Sequence, residues 1–221
     1  GKQTMIKRSF AGLLAGICAI SNAALFSAVP AANAEDAGYT MNVSVDLSGE
    51  KKSVSPYIYG INDAGYLSDV TVNAVRQGGN RYSAYNWENN YSNAGSDWKN
   101  SSDNYLVSNY SSELAATPGA CALHLSEDAV KNNVPYKTAT IPMAGYVVAD
   151  ANGEVSSSEV APSSRWKQVK ATKGSEFSLT PDTTDDYVYM DEYVNYLVSK
   201  LGDSTTATGI NGYNLDNEPA L

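Results

Sequence analysis

Asn217-Glu218-Pro219 follows an apolar stretch over residues 210–215. Proline pushes the residue before it out of helical geometry, so a strand over 210–215 would deliver Glu218 to its own mouth and then leave the sheet. A carboxylic acid held there suits general acid–base work, above all protonation of the departing oxygen of a glycoside. Retention of configuration would need a second carboxylate about 5–5.5 Å away. The tripeptide alone fits equally a glutamate that ends a strand and faces solvent. Asp216 sits two residues before Glu218, on the same side but deeper, and cannot flank the opposite face of a sugar.

Further residues favour the chemical reading. Arg76 precedes Gly78-Gly79-Asn80, where glycine permits a tight turn and an arginine could hold a carboxylate in its ionised form. Tyr82, Tyr85, Trp87, Tyr91 and Trp98 crowd the next segment beside Asn80, Asn86 and Asn89. Flat rings suit the C–H faces of pyranoses and amides suit their hydroxyls, whereas core packing is the plain alternative for any one ring. On the first view Trp87→Ala weakens polysaccharide binding and leaves stability within about 1 kcal/mol.

Positioning these residues calls for alternating strands and helices. Apolar runs at 55–62, 71–77, 138–148 and 210–215 read as buried parallel strands. Helices are expected over 120–132 and over 185–201, the second from Tyr189, Tyr193, Tyr196, Leu197 and Lys200 at three- and four-residue spacings with Gly202 as its stop. A weaker helix is expected near 63–69. Residues 81–112 read as a long functional loop, and 149–164 as another, closed by 166–169. Met41, Val43, Val45 and Leu47 alternate with polar residues and predict a half-buried strand ahead of the first apolar run. This order points to a parallel α/β architecture, in which chemistry sits at the C-terminal ends of the strands.

The chain has 221 residues and a formal charge of -9. Met5 is followed by Lys7 and Arg8, a largely apolar run over 10–29 and Ala32-Asn33-Ala34. That is the pattern of a secretory signal cleaved before Glu35, and it predicts an extracellular protein with no membrane association after cleavage. Cleavage would remove Lys2, Lys7 and Arg8 of the 15 basic residues, leaving 12 against 24 acidic ones. So acidic a chain is unsuited to nucleic acid or anionic lipid. Cys121 would be left without a cysteine partner, and with His124 as the single histidine there is neither a zinc constellation nor a convincing Ser-His-Asp motif. Both are expected to be packing residues. Asp150, Asn152 and Glu154 around Gly153 resemble part of a calcium loop, with a plain polar turn as the alternative. No organic cofactor is required.

The runs 55–62, 75–81 and 85–98, together with Ile141-Pro142-Met143-Ala144-Gly145-Tyr146-Val147, Ala161-Pro162-Ser163-Ser164-Arg165-Trp166 and Tyr213-Asn214-Leu215-Asp216-Asn217-Glu218-Pro219, resemble glycoside hydrolase family 44. The resemblance extends through nearly all of 40–221. It implies a retaining endo-β-1,4-glucanase active on xyloglucan and soluble cellulose derivatives, built as a (β/α)8 barrel with a small β-sandwich. It also implies Glu218 as the acid/base, Asn217 as the residue contacting the sugar 2-hydroxyl, and Arg76 as the strand-two arginine that steadies the nucleophile. That nucleophile, a second glutamate near the end of strand seven, has no match among these residues. The chain by itself is therefore expected to be inactive.

The resulting fold class is α/β, the N-terminal half of a (β/α)8 TIM barrel. Residues 1–34 form the signal and leader, 35–54 a strand of an accessory β-domain, and 55–221 the first four β/α units. The expected partner is a β-glucan, contacted by Asn217, Arg76, Asn80, Tyr85, Trp87 and Trp98. A glycan-binding protein without catalysis, or a retaining glycosidase of another family in the same clan, are the rival readings.

Overall fold

A computed structural model of the chain describes residues 41–62 and 70–218. The chain divides into two compact units, 1–52 and 53–221. In the first, residues 41–52 are irregular and exposed, and Asp46 accepts hydrogen bonds from the backbone N–H and hydroxyl of Ser48. The strand expected at 41–47 does not form: alternation makes a strand only when a neighbour supplies backbone partners, and among the described residues none does. The signal expected over 1–34 and the helix expected near 63–69 lie outside the described residues.

The second unit is organised by a four-stranded sheet. Its strands are β1 (Gly60–Asn62), β2 (Ala74–Arg76), β5 (Tyr136–Ile141) and β10 (Gly212–Leu215), adjacent in that order and all parallel. Register explains its two faces. Ile61 aligns with Val75, and Tyr213 and Leu215 align with Ala139 and Ile141. Val75 packs with Leu125, Ala129 and Val134, while Ala139 and Ile141 join the larger core. Toward the C-terminal ends of the strands the intervening positions are polar: Asn62 aligns with Arg76, and Thr140 with Asn214. One face of the sheet is therefore core, and the other carries groups able to do chemistry.

Two smaller sheets grow from the connections. β3 (Ser92–Asn93), β4 (Ser101–Asp103) and β7 (Gly153–Glu154) are antiparallel. β6 (Tyr146–Val148) pairs antiparallel with β8 (Trp166–Lys170), which pairs parallel with β9 (Tyr187–Tyr189). The single strand expected over 138–148 is thus two strands in different sheets. Pro142 has no N–H to give, Gly145 takes φ 96° and the Met143 N–H leaves the ladder for Asp216, so pairing stops at Ile141.

The helices are α1 (Ser112–Ala115), α2 (Ala120–Lys131) and α3 (Met190–Leu201). α2 lies within one residue of its expected bounds. Its first N–H is capped by Asn90 Oδ1 at 3.0 Å, a partner brought in from the preceding loop. α3 starts later than periodicity suggests because 187–189 pair with β8. None of the described helices is long and apolar enough to cross a membrane.

Segment 81–112 departs most from expectation. Tyr85 and Trp87 are 0% and 1% exposed and belong to the main core. Trp87 stacks on Tyr193 at 5.1 Å between centroids and lies 5.3 Å from Tyr196. The neighbouring asparagines are internal struts: Asn86 Nδ2 donates to Val148 O at 2.8 Å, and Asn90 Oδ1 accepts from the Tyr85 hydroxyl at 2.6 Å. Amides can satisfy buried carbonyls and N–H groups as backbone does, so a segment rich in Asn and aromatics can be interior.

Candidate active site

The C-terminal ends of β2 and β10 meet beside an open cleft of about 740 Å³ whose lining includes Asn80, Ser83, Asp97, Asp216, Asn217 and Glu218. Glu218 is exposed at its rim, while Asp216 and Asn217 are each 8% exposed. Asn217 Oδ1 accepts from Arg76 Nη2 at 2.5 Å and from the Gly79 N–H at 2.7 Å. With both neighbours donating, the amide nitrogen is turned away from them, and among the described residues it has no partner. A donor on the cleft wall beside a carboxyl is what a sugar hydroxyl next to a scissile bond requires.

Arg76 is held in turn by Asn62, whose Oδ1 accepts from Nε at 3.0 Å. Two glycines make room for this. Gly79 adopts φ 119°, and a Cβ on Gly78 would come within 2.3 Å of Arg76 Nε and Nη2 and of Asn62 Oδ1. Gly78 is thus a matter of clearance and Gly79 of conformation. Arg76 contacts Asn217 and Asn62 rather than a carboxylate among the described residues.

Asp216 takes φ 60° at the end of β10, and its carboxylate meets three donors. Oδ1 accepts from Ser83 Oγ at 2.6 Å and from the Asn217 N–H at 2.7 Å, and Oδ2 accepts from the Met143 N–H at 3.2 Å. Below it, Asn214 Nδ2 donates to Thr140 Oγ1 at 2.7 Å and to the Asp216 carbonyl at 3.0 Å. Thr140 Oγ1 itself donates to the Gln77 carbonyl. Asp216 is recessed as expected, although its left-handed backbone breaks the alternation on which that expectation rested, and Ser83, Thr140 and the Gly79 N–H were not legible as its surroundings. The one signal in the sequence is the residue type, since aspartate tolerates the left-handed conformation that Asp216 adopts.

Asn80 also reaches the cleft, although its Nδ2 is committed to Ala94 O and Asp97 Oδ2, both at 2.9 Å. Trp98 is 64% exposed and lines an adjoining cavity of about 510 Å³ with Gly79, Asn80, Asp97 and Tyr105. Asn80, Asn217 and Glu218 therefore line one cleft, while Arg76 is hydrogen-bonded to Asn217 and Trp98 lies in the adjoining cavity that Asn80 shares. Tyr85 and Trp87 do not join them: they are sealed in the core and present no ring to a ligand.

The calcium-like loop is organised around a cation of the chain's own. Arg165 Nε donates to both Asp150 oxygens at 3.0 and 2.7 Å, Nη1 to Glu159 Oε1 at 3.1 Å and Nη2 to Gly153 O at 3.1 Å. The carboxylate that would open a calcium loop is thus occupied by a guanidinium. Hydrogen bonds from the Ser156 hydroxyl and N–H, with Arg165 behind them, hold Glu159 down to about 2.

Residues 91–221 match Glycoside hydrolase family 44. The chain belongs to this family. Across 183 residues it is 47% identical to a beta-mannanase/endoglucanase A of Caldicellulosiruptor saccharolyticus, an alignment covering 82% of the chain and 14% of that protein. Over 193 residues it is 44% identical to endoglucanase A of Paenibacillus lautus, covering 86% of the chain and 27% of the relative. Among solved structures it is similar to the family 44 endoglucanase Cel44A of Clostridium thermocellum, with TM-score 0.74, 56% identity and coverage of 79% and 34%. It is also similar to a Paenibacillus polymyxa family 44 xyloglucanase solved with xyloglucan, with TM-score 0.71, 52% identity and coverage of 77% and 33%. The family 44 chain described here thus spans about a third of those solved chains, and less of the curated relatives.

Proposed function

We propose that the complete protein is a secreted endo-acting hydrolase of β-1,4-glucans, xyloglucan among them, that retains anomeric configuration. Glu218 is its acid/base, and the nucleophile comes from a part of the protein beyond residues 1–221. The observation that carries this reading is the pairing of Asn217 and Glu218 on the lining of one cleft at the end of a parallel strand, with the Asn217 carbonyl held by Arg76 and Gly79 so that its N–H₂ is the group left to donate. Glu218 protonates the leaving oxygen as the glycosyl–enzyme forms, then deprotonates the water that releases it. The endoglucanase and xyloglucanase names of the relatives support the substrate class. The four parallel strands in sequential order fit the first half of a (β/α)8 barrel.

The test uses the complete protein. Glu218→Gln should lose most turnover on xyloglucan and carboxymethyl cellulose, while glycosylation by an aryl glycoside with a good leaving group suffers much less. Equal loss on both substrate types would refute the acid/base role, and an inverted product by NMR would refute retention. The basic and apolar opening with Ala32-Asn33-Ala34 supports export; a mature N-terminus other than Glu35 in the culture medium would place cleavage elsewhere.

A further inference from the structure

We propose that Asp216 is the positioning residue of this site: through its three hydrogen bonds it sets the direction in which the Asn217–Glu218 pair leaves β10. The proposal rests on the acid/base reading of Glu218 and adds a role for a carboxylate that the reaction itself does not consume.

Asp216 joins three segments that are distant in sequence: the turn after β2 through Ser83, the loop after β5 through Met143, and its own strand end through the Asn217 N–H. Its backbone leaves the β-region at φ 60°, so Asn217 and Glu218 do not follow the alternation that the strand would otherwise impose. A left-handed residue between a strand and a functional pair fixes where the pair points only if something prevents it from relaxing. The carboxylate provides that restraint, since an acceptor-only group meets three donors and none is left to compete with it. Asn214 closes the turn from below by donating to the Asp216 carbonyl, and the Asp216 N–H donates to Ile141 O at 2.8 Å. The backbone and side chain of this one residue are thus both bound to β5 or the loop that continues it.

Asn can occupy the left-handed region, so Asp216→Asn preserves the backbone while turning one carboxylate oxygen into an N–H₂ that faces donors. Ser83→Ala removes one donor without touching β10, and Ser83→Thr restores the hydroxyl. In the complete protein, kcat and KM are measured on xyloglucan and the single-turnover glycosylation rate on an aryl glycoside with a good leaving group, together with thermal unfolding and with Glu218→Gln as reference. Asp216→Asn should lower kcat on xyloglucan by ten- to a hundredfold, with KM within about threefold, and should cost the aryl glycoside less than a third of that factor. Ser83→Ala should move in the same direction by a few-fold, and Ser83→Thr should recover at least half of it. The leaving-group contrast is the readout that a general loss of structure would not give. If Asp216→Asn does not fold, the Ser83 pair decides by the same contrast. Equal losses on the two substrates, or no loss in kcat, overturn the positioning role even when Glu218→Gln behaves as an acid/base variant. Absence of the contrast in Glu218→Gln itself refutes the acid/base reading and this proposal with it.

Discussion

Replacing Trp87 by alanine separates two uses of an aromatic ring, and the structure fixes which one applies. The indole is 1% exposed, stacked on Tyr193 with planes 13° apart and against Tyr196. Truncating a buried Trp to Ala costs about 3–5 kcal/mol, and aromatic stacking adds roughly 0.5–1.5 kcal/mol beyond the buried area. One term opposes these: Trp87 Nε1 is buried with no hydrogen-bond partner among the described residues, and its removal returns about 1–3 kcal/mol. The balance is a loss of about 3 kcal/mol, which lowers the urea midpoint by about 1 M at a slope near 3 kcal/mol per M. Trp87→Phe keeps most of the stacking and drops the unpaired N–H, so it should lose less than half as much. KM for xyloglucan should hardly change in molecules that remain folded. A Trp87→Ala protein within about 1 kcal/mol of the parent, with KM raised several-fold, would refute this reasoning and restore the ring to the substrate site.

Gly78→Ala should cost little stability but lower turnover at least tenfold, because its Cβ displaces the Arg76 guanidinium that orients Asn217; steady-state kinetics alongside a melting curve test this. Burial pushes the Glu88 carboxyl up to about 7 against the opposing pull of Lys167, so the native state keeps a proton that the unfolded chain has lost. Its contribution therefore falls as pH rises from about 4.5 to about 7, by at most about 3 kcal/mol, and denaturant titrations should show the parent losing stability relative to Glu88→Gln across that window. Arg165→Lys should destabilise by about 1–2 kcal/mol and speed proteolysis within 149–165, since an ammonium cannot reach Asp150, Glu159 and the Gly153 carbonyl together.

The elements that hold the site were legible where one local signal decided them. α2 and β10 lie within two residues of expectation because the apolar face of the first and the apolar run of the second agree with what they pack against. β5 was overextended because Ile141 and Val147 look continuous in composition, whereas the break depends on where the Met143 N–H goes. α3 was started too early for a similar reason: residues 187–189 have a helical spacing, but β8 presents them with an open edge. Periodicity reports a preference within a segment and carries nothing about a competing partner from elsewhere in the chain.

The aromatic, asparagine-rich segment shows the same limit at the site. Trp87 and Trp98 have similar surroundings in sequence, yet one is sealed between Tyr193 and Tyr196 and the other is 64% exposed beside the cleft. The difference comes from the asparagines. Asn90 ties its segment to the α1–α2 region by accepting from the Ala120 N–H and donating to Ala115 O and Thr117 O, which draws Trp87 against the helices. Asn80 and Asn93 fasten the turn around Gly95 instead, through Ala94 O and the Gly95 N–H, and that turn carries Trp98 outward. Composition does not separate the two roles, since an amide serves a backbone carbonyl as readily as a sugar hydroxyl. Only the partner distinguishes them, and at Asn217 the partners are Arg76 and Gly79, two donors that occupy the amide oxygen and leave the nitrogen as the group still able to donate.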